Sequence, residues 1–335
     1  MNSIFNSSNA RFKVVGVGRA GCQMVSRLAV RKIPSPCDIE YIAMDTDAQD
    51  LAMADIPKRI QLGKRILHGL GSGNDPEMGQ RAAEESRGVI RQTIMGSEIL
   101  FIVAAVGGGT GAGASPVIAA MAKSMGILTI GMVAAPFAFE GAYREETAHQ
   151  GVVALLRSVD SLMVMPQDQI PFSSESKPDV TSVLQTITDS MAKGMDKLAE
   201  TIILPGLINI DFEDVRGMLK DSGLTEMVFG SASGEDRAAQ AAYAALANLS
   251  SDATGKKAQA ALFSVTGSNE LSLFEVNSAA DIIKHEINPD ANIIIGVNCD
   301  EKMGGEIHIA LLLTKFSGHD PVKSYSTDQE IESNS

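Results

Sequence analysis

The sequence predicts an α/β protein with a doubly wound parallel sheet, followed by a long connecting helix and a smaller α+β domain. Three observations support this prediction. Short apolar runs alternate with helical patterns up to about residue 165, an order typical of a parallel sheet covered by helices. Apolar residues at three- and four-residue spacing between 182 and 202 predict a long helix. A second set of strands and helices then extends to residue 316.

The composition limits the classes of function. The 335 residues are enough for two domains, and the net charge of −13 argues against a surface that binds nucleic acid. No apolar run reaches the ~18 residues that a membrane helix needs, so we expect no insertion into a membrane. The three cysteines and five histidines have no metal-binding spacing, so no metal site of that kind is expected. These features favour a cytoplasmic protein.

The first strand, 12–17, leads into a glycine-rich turn and a helix that extends to about residue 31. The turn contains the G-x-G-x-x-G pattern, which by itself is a weak indication of dinucleotide binding. A carboxylate that binds ribose is then expected about 20 residues further on, where Asp45 and Asp47 follow the strand 39–44. A dinucleotide-dependent oxidoreductase therefore remains open at this point.

Two further glycine-rich loops favour a different ligand. One covers 68–76, and the other, 107–113, lies between the apolar run 99–105 and a helix predicted over 114–125. Glycines allow positive φ and a close approach of the ligand, and N–H groups at a helix N-terminus attract anions. No Lys-Ser/Thr pair follows the glycines, so the loop is not a Walker A loop. Several such loops at the ends of parallel strands favour a bulky triphosphate over a dinucleotide.

The predicted first domain ends with strand 127–134, the segment 136–141, helix 142–156 and strand 162–165. Glu140 and Arg144 form an i, i+4 pair at the start of the helix, which is also consistent with an ordinary surface ion pair.

An acidic segment follows the predicted connecting helix and contains Asn209, Asp211 and Asp214. One interpretation is that Asn209 or Asp211 caps the next helix. The other is chemical, because Asp211 and Asp214 on one helical face would polarise a water or hold a cation shell.

The last region has the order β-α-β-α-β-β. Strands are predicted over 227–232, 260–266, 292–297 and 307–313, and helices over 236–247 and 273–286. The polar segments 1–11 and 317–335 are predicted to be disordered.

Four segments resemble, in order, the FtsZ family of bacterial tubulin-like GTPases. They are GVGRAG (16–21), GLGSGNDPEMGQRAAEES (69–86), GGGTGAG (107–113) with PFAFEG (136–141), and GLINIDFEDV (206–215). The resemblance covers residues 12–316. It implies a GTP-binding domain over 12–181, a connecting helix over 182–204, an acidic catalytic loop with its following helix over 205–222, and a C-terminal α+β domain over 223–316.

The resemblance also implies the residues that bind GTP or GDP. The first loop and the tubulin loop would hold the phosphates, Glu140 and Arg144 would contact the ribose, and Asp189 would bind the guanine edge. The full implied set is Gly18, Arg19, Ala20, Gly21, Cys22, Gln23, Asp45, Gly71, Gly73, Gly107, Gly108, Gly109, Thr110, Gly111, Ala112, Gly113, Pro136, Glu140, Arg144, Leu184 and Asp189.

By the same resemblance, hydrolysis is completed between two copies of the chain. Asn209, Asp211 and Asp214 of one copy would enter the nucleotide site of the next and position the water that attacks the γ-phosphate, with Mg²⁺ offsetting the charge. The head-to-tail contact would propagate into filaments. The implied role is in cell division, with the protein at the division site.

Several positions depart from the family pattern. Arg19 stands where the family usually has glycine, Asp45 replaces a usual asparagine, Ala112 a common threonine, Ala135 a frequent lysine, and Leu184 an aromatic residue that packs on the base. The family's C-terminal peptide, which binds membrane anchors, is not visible in 317–335. An alternative is therefore an FtsZ paralogue that binds nucleotide, has weak or no GTPase activity, and regulates the filaments of a second FtsZ or serves a role outside division.

Overall fold

We describe the fold from a computed structural model. The structure describes residues 12–31, 39–165, 189, 211–249 and 258–316. They fall into two compact units, the first formed by 12–165 with residue 189 and the second by 211–316. The predicted connecting helix lies outside the described residues except for Asp189, which is helical. The two terminal segments that were predicted to be disordered also lie outside them.

The first unit alternates strands with helices. In chain order it contains β1 (Phe12–Val17), α1 (Gly18–Arg31), β2 (Ile39–Asp45), α2 (Ala48–Met53), β3 (Lys58–Gln61), α3 (Lys64–Leu67), α4 (Pro76–Glu85), α5 (Arg87–Ile94), β4 (Ile99–Ala105), α6 (Gly109–Ser124), β5 (Leu128–Ala134), a 3₁₀ turn (Ala138–Glu140), α7 (Ala142–Leu156) and β6 (Ser161–Met165).

The strands of this unit form a parallel sheet in the order β3-β2-β1-β4-β5-β6. Phe12 pairs with Ile39 on one side and with Ile99 on the other, so β1 is central. Strands β4 and β5 are buried along almost their whole length, as expected for a parallel sheet with helices on both faces. The predicted doubly wound sheet is confirmed.

Helix α6 begins earlier than the sequence pattern predicted, at Gly109 instead of residue 114. Gly109, Gly111 and Gly113 therefore lie in the first turns of a helix, and none of the glycines at 107–113 has a positive φ. The expectation that they supply left-handed conformations is wrong for this loop. They provide space, because a Cβ on Gly111 would lie 2.1 Å from the carbonyl oxygen of Ala105 and a Cβ on Gly113 would lie 1.9 Å from that of Pro76.

The second unit contains α8 (Phe212–Leu219), β7 (Gly223–Leu224), β8 (Glu226–Ser233), α9 (Arg237–Ala247), β9 (Ala258–Gly267), α10 (Leu273–Glu286), β10 (Asn292–Cys299) and β11 (Glu306–Phe316).

Four strands of this unit form a mixed sheet in the order β10-β9-β11-β8. Strand β10 is parallel to β9, whereas β11 is antiparallel to both of its neighbours. Helices α9 and α10 pack on the sheet around a core that includes Phe263 and Ile283. The predicted smaller α+β domain is confirmed. Within the described residues of both units, no helix is long and apolar enough to span a membrane.

Candidate functional site

A cavity of about 490 Å³ opens at the carboxyl ends of β2, β1, β4 and β5. Strands β1 and β4 are neighbours in the sheet, and the chain continues to opposite sides from them. Ligands of open α/β sheets bind at such a switch point, and the volume is in the range typical of small-molecule sites. The cavity is lined by Val17, Gly18, Arg19, Ala20, Asp45, Thr46, Asp47, Asp50, Leu70, Gly71, Ser72, Gly73, Asn74, Ala105, Gly107, Gly108, Gly109, Thr110, Gly111, Ala135, Pro136, Glu140 and Arg144.

Two helices point their N-termini at this cavity. Helix α1 starts at Gly18, directly after β1, and α6 starts at Gly109, shortly after β4. Neither helix has an acidic residue in its first turn, and the α6 N-cap, Gly108, makes no side-chain cap. The positive ends of two helices and their first N–H groups therefore face the same space, which favours an anion.

The loop that follows α3 has an unusual backbone. Left-handed φ values occur at His68, Gly69, Gly71, Gly73 and Asn74, with values between 51° and 80°. The loop is fixed to the end of β2, because Asp47 and Leu70 form a bridge and Ala48 N donates to Gly69 O at 3.0 Å. Here the positive-φ role that the sequence suggested for glycine does apply.

Three hydroxyl groups join the loops at the base of the cavity. The oxygens of Thr46 and Thr110 are 2.6 Å apart, and those of Ser72 and Thr110 are 3.1 Å apart. All three residues are buried. The loop after β2, the loop before α4 and the start of α6 are therefore tied into one assembly.

Asp45 is the most buried carboxylate of the cavity, with 2% of its surface exposed. Its Oδ1 accepts hydrogen bonds from Thr46 N at 2.7 Å and Asp47 N at 3.3 Å, whereas its buried Oδ2 has no hydrogen-bond partner. Burial raises the pKa of Asp45 to about 6, against the two backbone hydrogen bonds, and the nearby Asp50 and Asp47 add to the rise. The site thus contains an acid that is costly to ionise.

Both basic residues of the described lining, Arg19 and Arg144, pair with acidic residues. Arg19 Nε donates to Asp50 Oδ2 at 2.7 Å on the β2 side. On the β5 side, Arg144 pairs with Glu140, whose Oε1 also accepts from Phe137 N at 3.0 Å. Asp50 raises the pKa of the Arg19 guanidinium by hydrogen bonding and by its charge.

Several expected nucleotide contacts do not line the cavity. Gly21, Cys22, Gln23, Ala112 and Gly113 lie on α1 or α6 but are not part of the lining. The Cys22 thiol lies 3.5 Å from the backbone oxygen of Gly16 and 3.6 Å from that of Met44, so its one S–H donates to this pair of acceptors. Burial raises its pKa, so it is a packed, unreactive group. Asp189 is not part of the lining either, and Leu184 lies outside the described residues.

Other lining residues were not expected from the sequence. Thr46, Leu70, Ser72 and Asn74 flank glycines or acids that were expected, and Asp50 lies on α2, just after Asp47, which the sequence had already offered as a ribose-binding carboxylate. Their position at the carboxyl end of a strand, or in the loop that contacts one, was the available signal.

The acidic residues of the second unit are exposed on α8. Asp211 is its N-cap, and its Oδ1 accepts from Glu213 N at 3.0 Å. Asp214 lies in the first turn of the helix. Asp211 therefore precedes the helix instead of sharing its face with Asp214, and the capping interpretation holds for Asp211. Neither residue lines the cavity of the first unit, and Asn209 lies outside the described residues.

Two family models match the chain. The model of the GTPase domain of the Tubulin/FtsZ family matches residues 11–172, and the model of the FtsZ C-terminal domain matches residues 223–317.

Solved structures match most of the length of the chain. An empty FtsZ dimer from M. jannaschii is 32% identical, with a TM-score of 0.83, and the match covers 92% of this chain and 89% of that one. A GDP-bound monomer of CetZ1 from Haloferax volcanii is 21% identical, with a TM-score of 0.80 and coverage of 97% and 100%. A GTPγS-bound protofilament of CetZ2 from the same organism is 21% identical, with a TM-score of 0.79 and coverage of 97% and 99%.

The two CetZ structures show only that the fold is shared, whereas the M. jannaschii match and the family models show which family the chain belongs to. These matches do not support the alternative of a dinucleotide-dependent oxidoreductase. The chain belongs to the FtsZ/tubulin family of GTPases.

Proposed function

We propose that this chain binds GTP in the cavity of its first unit and hydrolyses it when copies assemble head to tail into filaments. The observation that carries the proposal is the convergence of two helix N-termini and the loop after α3 on one cavity at the switch point of the sheet. Backbone N–H groups there suit the phosphates of a nucleotide. GDP and GTPγS are bound in two of the similar structures.

The order of the strands suggests how the nucleotide lies. Glu140 and Arg144 follow β5, the two helix N-termini follow β1 and β4, and Asp45 ends β2. With the ribose at Glu140 and Arg144, the phosphate chain would cross the centre of the sheet and end on the β2 side. Asp189 and Leu184 would then contact the base.

Mg²⁺ is expected with the triphosphate, and the carboxylates at the end of β2 suit it. Asp45 has a buried Oδ2 without a hydrogen-bond partner, and Asp47 lines the same cavity. Mg²⁺ bound with nucleotides takes most ligands from phosphates and water and one or two from carboxylates. Within the described residues, no group of three or more His, Cys, Asp or Glu side chains is placed to hold a metal ion. The ion would offset the charge of the phosphates.

The rim of the cavity has an apolar character that suits contact with a second copy. Leu70, Phe139 and Tyr143 are exposed large side chains on the loops and helix that border the opening. Contiguous exposed apolar patches mark interaction surfaces, so these three side chains are candidates for contact with a second copy. The similar structures include a dimer and a protofilament, which supports self-association.

In this proposal the acids of the second unit complete the site of a neighbouring copy. Asp211 and Asp214 are exposed, and the cap to Glu213 N fixes the Asp211 carboxylate at the start of α8. With Asn209 they would orient the attacking water, and a carboxylate would accept its proton while the helix N-termini stabilise the charge on the transferred phosphoryl group.

The test is the GTP hydrolysis rate measured against protein concentration. A shared site predicts a threshold concentration, below which turnover per chain is close to zero. Asp211→Asn and Asp214→Asn should each lower turnover by about 100-fold or more at concentrations that support assembly. Asparagine caps a helix as well as aspartate does, so Asp211→Asn removes the charge without removing the cap.

Glu213→Gln is the matched control, because Glu213 is an exposed acid on the same helix that pairs only loosely with Arg216. It should hydrolyse GTP at the unmodified rate. Turnover that is linear in protein concentration, with Asp211→Asn fully active, would contradict the shared site.

A second candidate function is that of a nucleotide-binding relative that regulates the filaments of another FtsZ. The acidic β2 side of the cavity favours it, because Asp45, Asp47 and Asp50 would oppose a triphosphate. Co-assembly with an FtsZ partner without hydrolysis by this chain would support it.

We also propose that the protein is cytoplasmic and acts at the division site. Fluorescence microscopy of a tagged chain would test this location.

A further inference from the structure

Arg19 occupies a central place in the cavity of the first unit. It is the second residue of α1, next to Gly18, and follows the central strand β1. A Cβ on Gly18 would lie 3.2 Å from Gly111 N, so the start of α1 lies directly against the start of α6. The Arg19 side chain therefore begins where the two helix N-termini meet.

Asp50 fixes one side of the Arg19 guanidinium. The pair joins Arg19 Nε to Asp50 Oδ2 at 2.7 Å, and it connects an exposed side chain (69%) to one that is largely covered (14%). Asp50 lies on α2, so the arginine is anchored to the β2 side of the cavity. Among the residues that the structure describes, Nη1 and Nη2 have no partner. A guanidinium has five N–H donors, so four of them are available to a ligand.

The charges around Arg19 explain why such a ligand would need it. Asp45 and Asp47 face it from the end of β2, in addition to Asp50 on α2. The other basic residue of the lining, Arg144, is held by Glu140 on the β5 side. On the β2 side, the described lining thus has three carboxylates and one cation. A phosphate that ends there would meet these carboxylates, and Arg19 is the described side chain that offsets their charge in addition to any bound Mg²⁺.

We propose that Arg19, oriented by Asp50, donates to the terminal phosphate of a bound nucleoside triphosphate and thereby favours the triphosphate over the diphosphate. This rests on the proposed function, because the nucleotide orientation comes from the order of the strands. The ribose lies at β5 and the phosphates cross β4 and β1, so the last phosphate is the one that reaches Arg19. A diphosphate would end before it.

The experiment compares the affinities of GTPγS and GDP. Each competes with a fluorescent GDP analogue at a fixed Mg²⁺ concentration, with the 335-residue chain dilute enough that light scattering detects no assembly. Arg19→Gln should weaken GTPγS binding by about tenfold and GDP binding by less than twofold, since charge-assisted hydrogen bonds are strong. Arg19→Lys should lie between, because it keeps the charge but loses the planar fork.

Arg65→Gln is the matched control. Arg65 is an exposed arginine of the same unit that also pairs with a carboxylate, Glu85, away from the cavity. It should leave the ratio of the two affinities unchanged. Thermal unfolding without nucleotide checks that the variants are folded.

The outcomes separate the two proposals. An unchanged affinity ratio in Arg19→Gln, whether both nucleotides bind normally or both bind equally more weakly, overturns the role of Arg19 and leaves GTP binding intact. Failure of the unmodified protein to bind either nucleotide overturns the proposed function and this inference with it. A loss confined to GTPγS supports the inference.

Discussion

The hydroxyl oxygens of Thr46 and Thr110 lie 2.6 Å apart and connect the end of β2 to the first turn of α6. Ser72, from the loop after α3, adds its hydroxyl to Thr110 at 3.1 Å. One threonine thus joins two loops that come from different parts of the chain. Because all three groups are buried, the loops are held in one arrangement before any ligand arrives, which lowers the entropic cost of binding.

We expect Thr110→Val to loosen this arrangement. Valine has the shape of threonine but leaves the Thr46 and Ser72 hydroxyls without their shared partner. The free energy of unfolding should fall by about 1–3 kcal/mol, and the affinity for GDP should fall as well. Urea unfolding and nucleotide titration measure the two effects. Thr110→Ser keeps the hydroxyl and should lose much less, and equal losses for the two variants would contradict the role of the hydroxyl group.

The architecture could be predicted because its elements are long and regular. Helices α7 and α10 have the predicted bounds, and each strand that was predicted lies within a few residues of its expected position. Elements α2, β3 and α3 were not predicted, because each has only four to six residues. Segments of that length carry little periodic signal, and β3 forms through its pairing with β2, which is a tertiary contact.

The candidate site was predicted in outline, but the reason for some of its glycines was not. Positive φ occurs at Gly18, Gly71 and Gly73, as proposed for anion loops, and at none of the glycines in 107–113. A single sequence does not reveal that Gly113 faces the backbone of α4. The Arg19–Asp50 pair was also beyond prediction, since it depends on how α1 and α2 meet.

Gly113→Ala tests whether this packing is essential. A methyl group at Gly113 would lie 1.9 Å from Pro76 O and 2.8 Å from Gln80 N, and both are backbone atoms that cannot move alone. Helix α4 must therefore shift, and we expect a loss of about 3 kcal/mol or more in the free energy of unfolding. Gly88→Ala is the control, because nothing lies within 4 Å of its Cβ position near the start of α5. Alanine there should be neutral or stabilising, and similar losses in both variants would exclude the packing explanation.

Asp45→Asn should change how stability depends on pH. The pKa of Asp45 is raised to about 6 by burial, from an ordinary value of 3.8, so the folded chain binds this proton more tightly than the unfolded chain. The contribution of Asp45 to the free energy of unfolding is therefore fully present below about pH 4. It falls as the pH rises to about 6 and stays reduced above that pH. Ionising Asp45 in the folded protein lowers the free energy of unfolding by an amount on the order of 3 kcal/mol. The stability of Asp45→Asn relative to the unmodified protein should therefore rise between pH 4 and pH 6 and then level off.

Urea unfolding at several pH values, without nucleotide, measures this difference. Asp55→Asn is a suitable control, because Asp55 is an exposed acid of the same unit outside the cavity. The change between pH 4 and pH 6 should be larger for Asp45→Asn than for this control. A flat difference for Asp45→Asn would show that the buried carboxyl is ionised at little cost.

The second unit should show the opposite pH dependence at Glu275. The Arg237 guanidinium donates to Glu275 Oε1 at 2.7 Å, and Ser272 donates to Oε2 from its backbone N–H and its hydroxyl. These contacts lower the pKa of Glu275 to about 2, with the Arg237 hydrogen bond as the largest cause. A lowered pKa stabilises the fold above the ordinary value of 4.5, and this contribution is lost as the pH falls from 4.5 through 2.

Glu275→Gln should therefore lower the free energy of unfolding by about 1–3 kcal/mol at pH 7 and by progressively less below pH 4.5, as measured by urea unfolding. Glu286→Gln, at the exposed end of the same helix, should cost nothing at pH 7, and a pH-independent loss for Glu275→Gln would indicate that packing, instead of charge, holds α10 to α9.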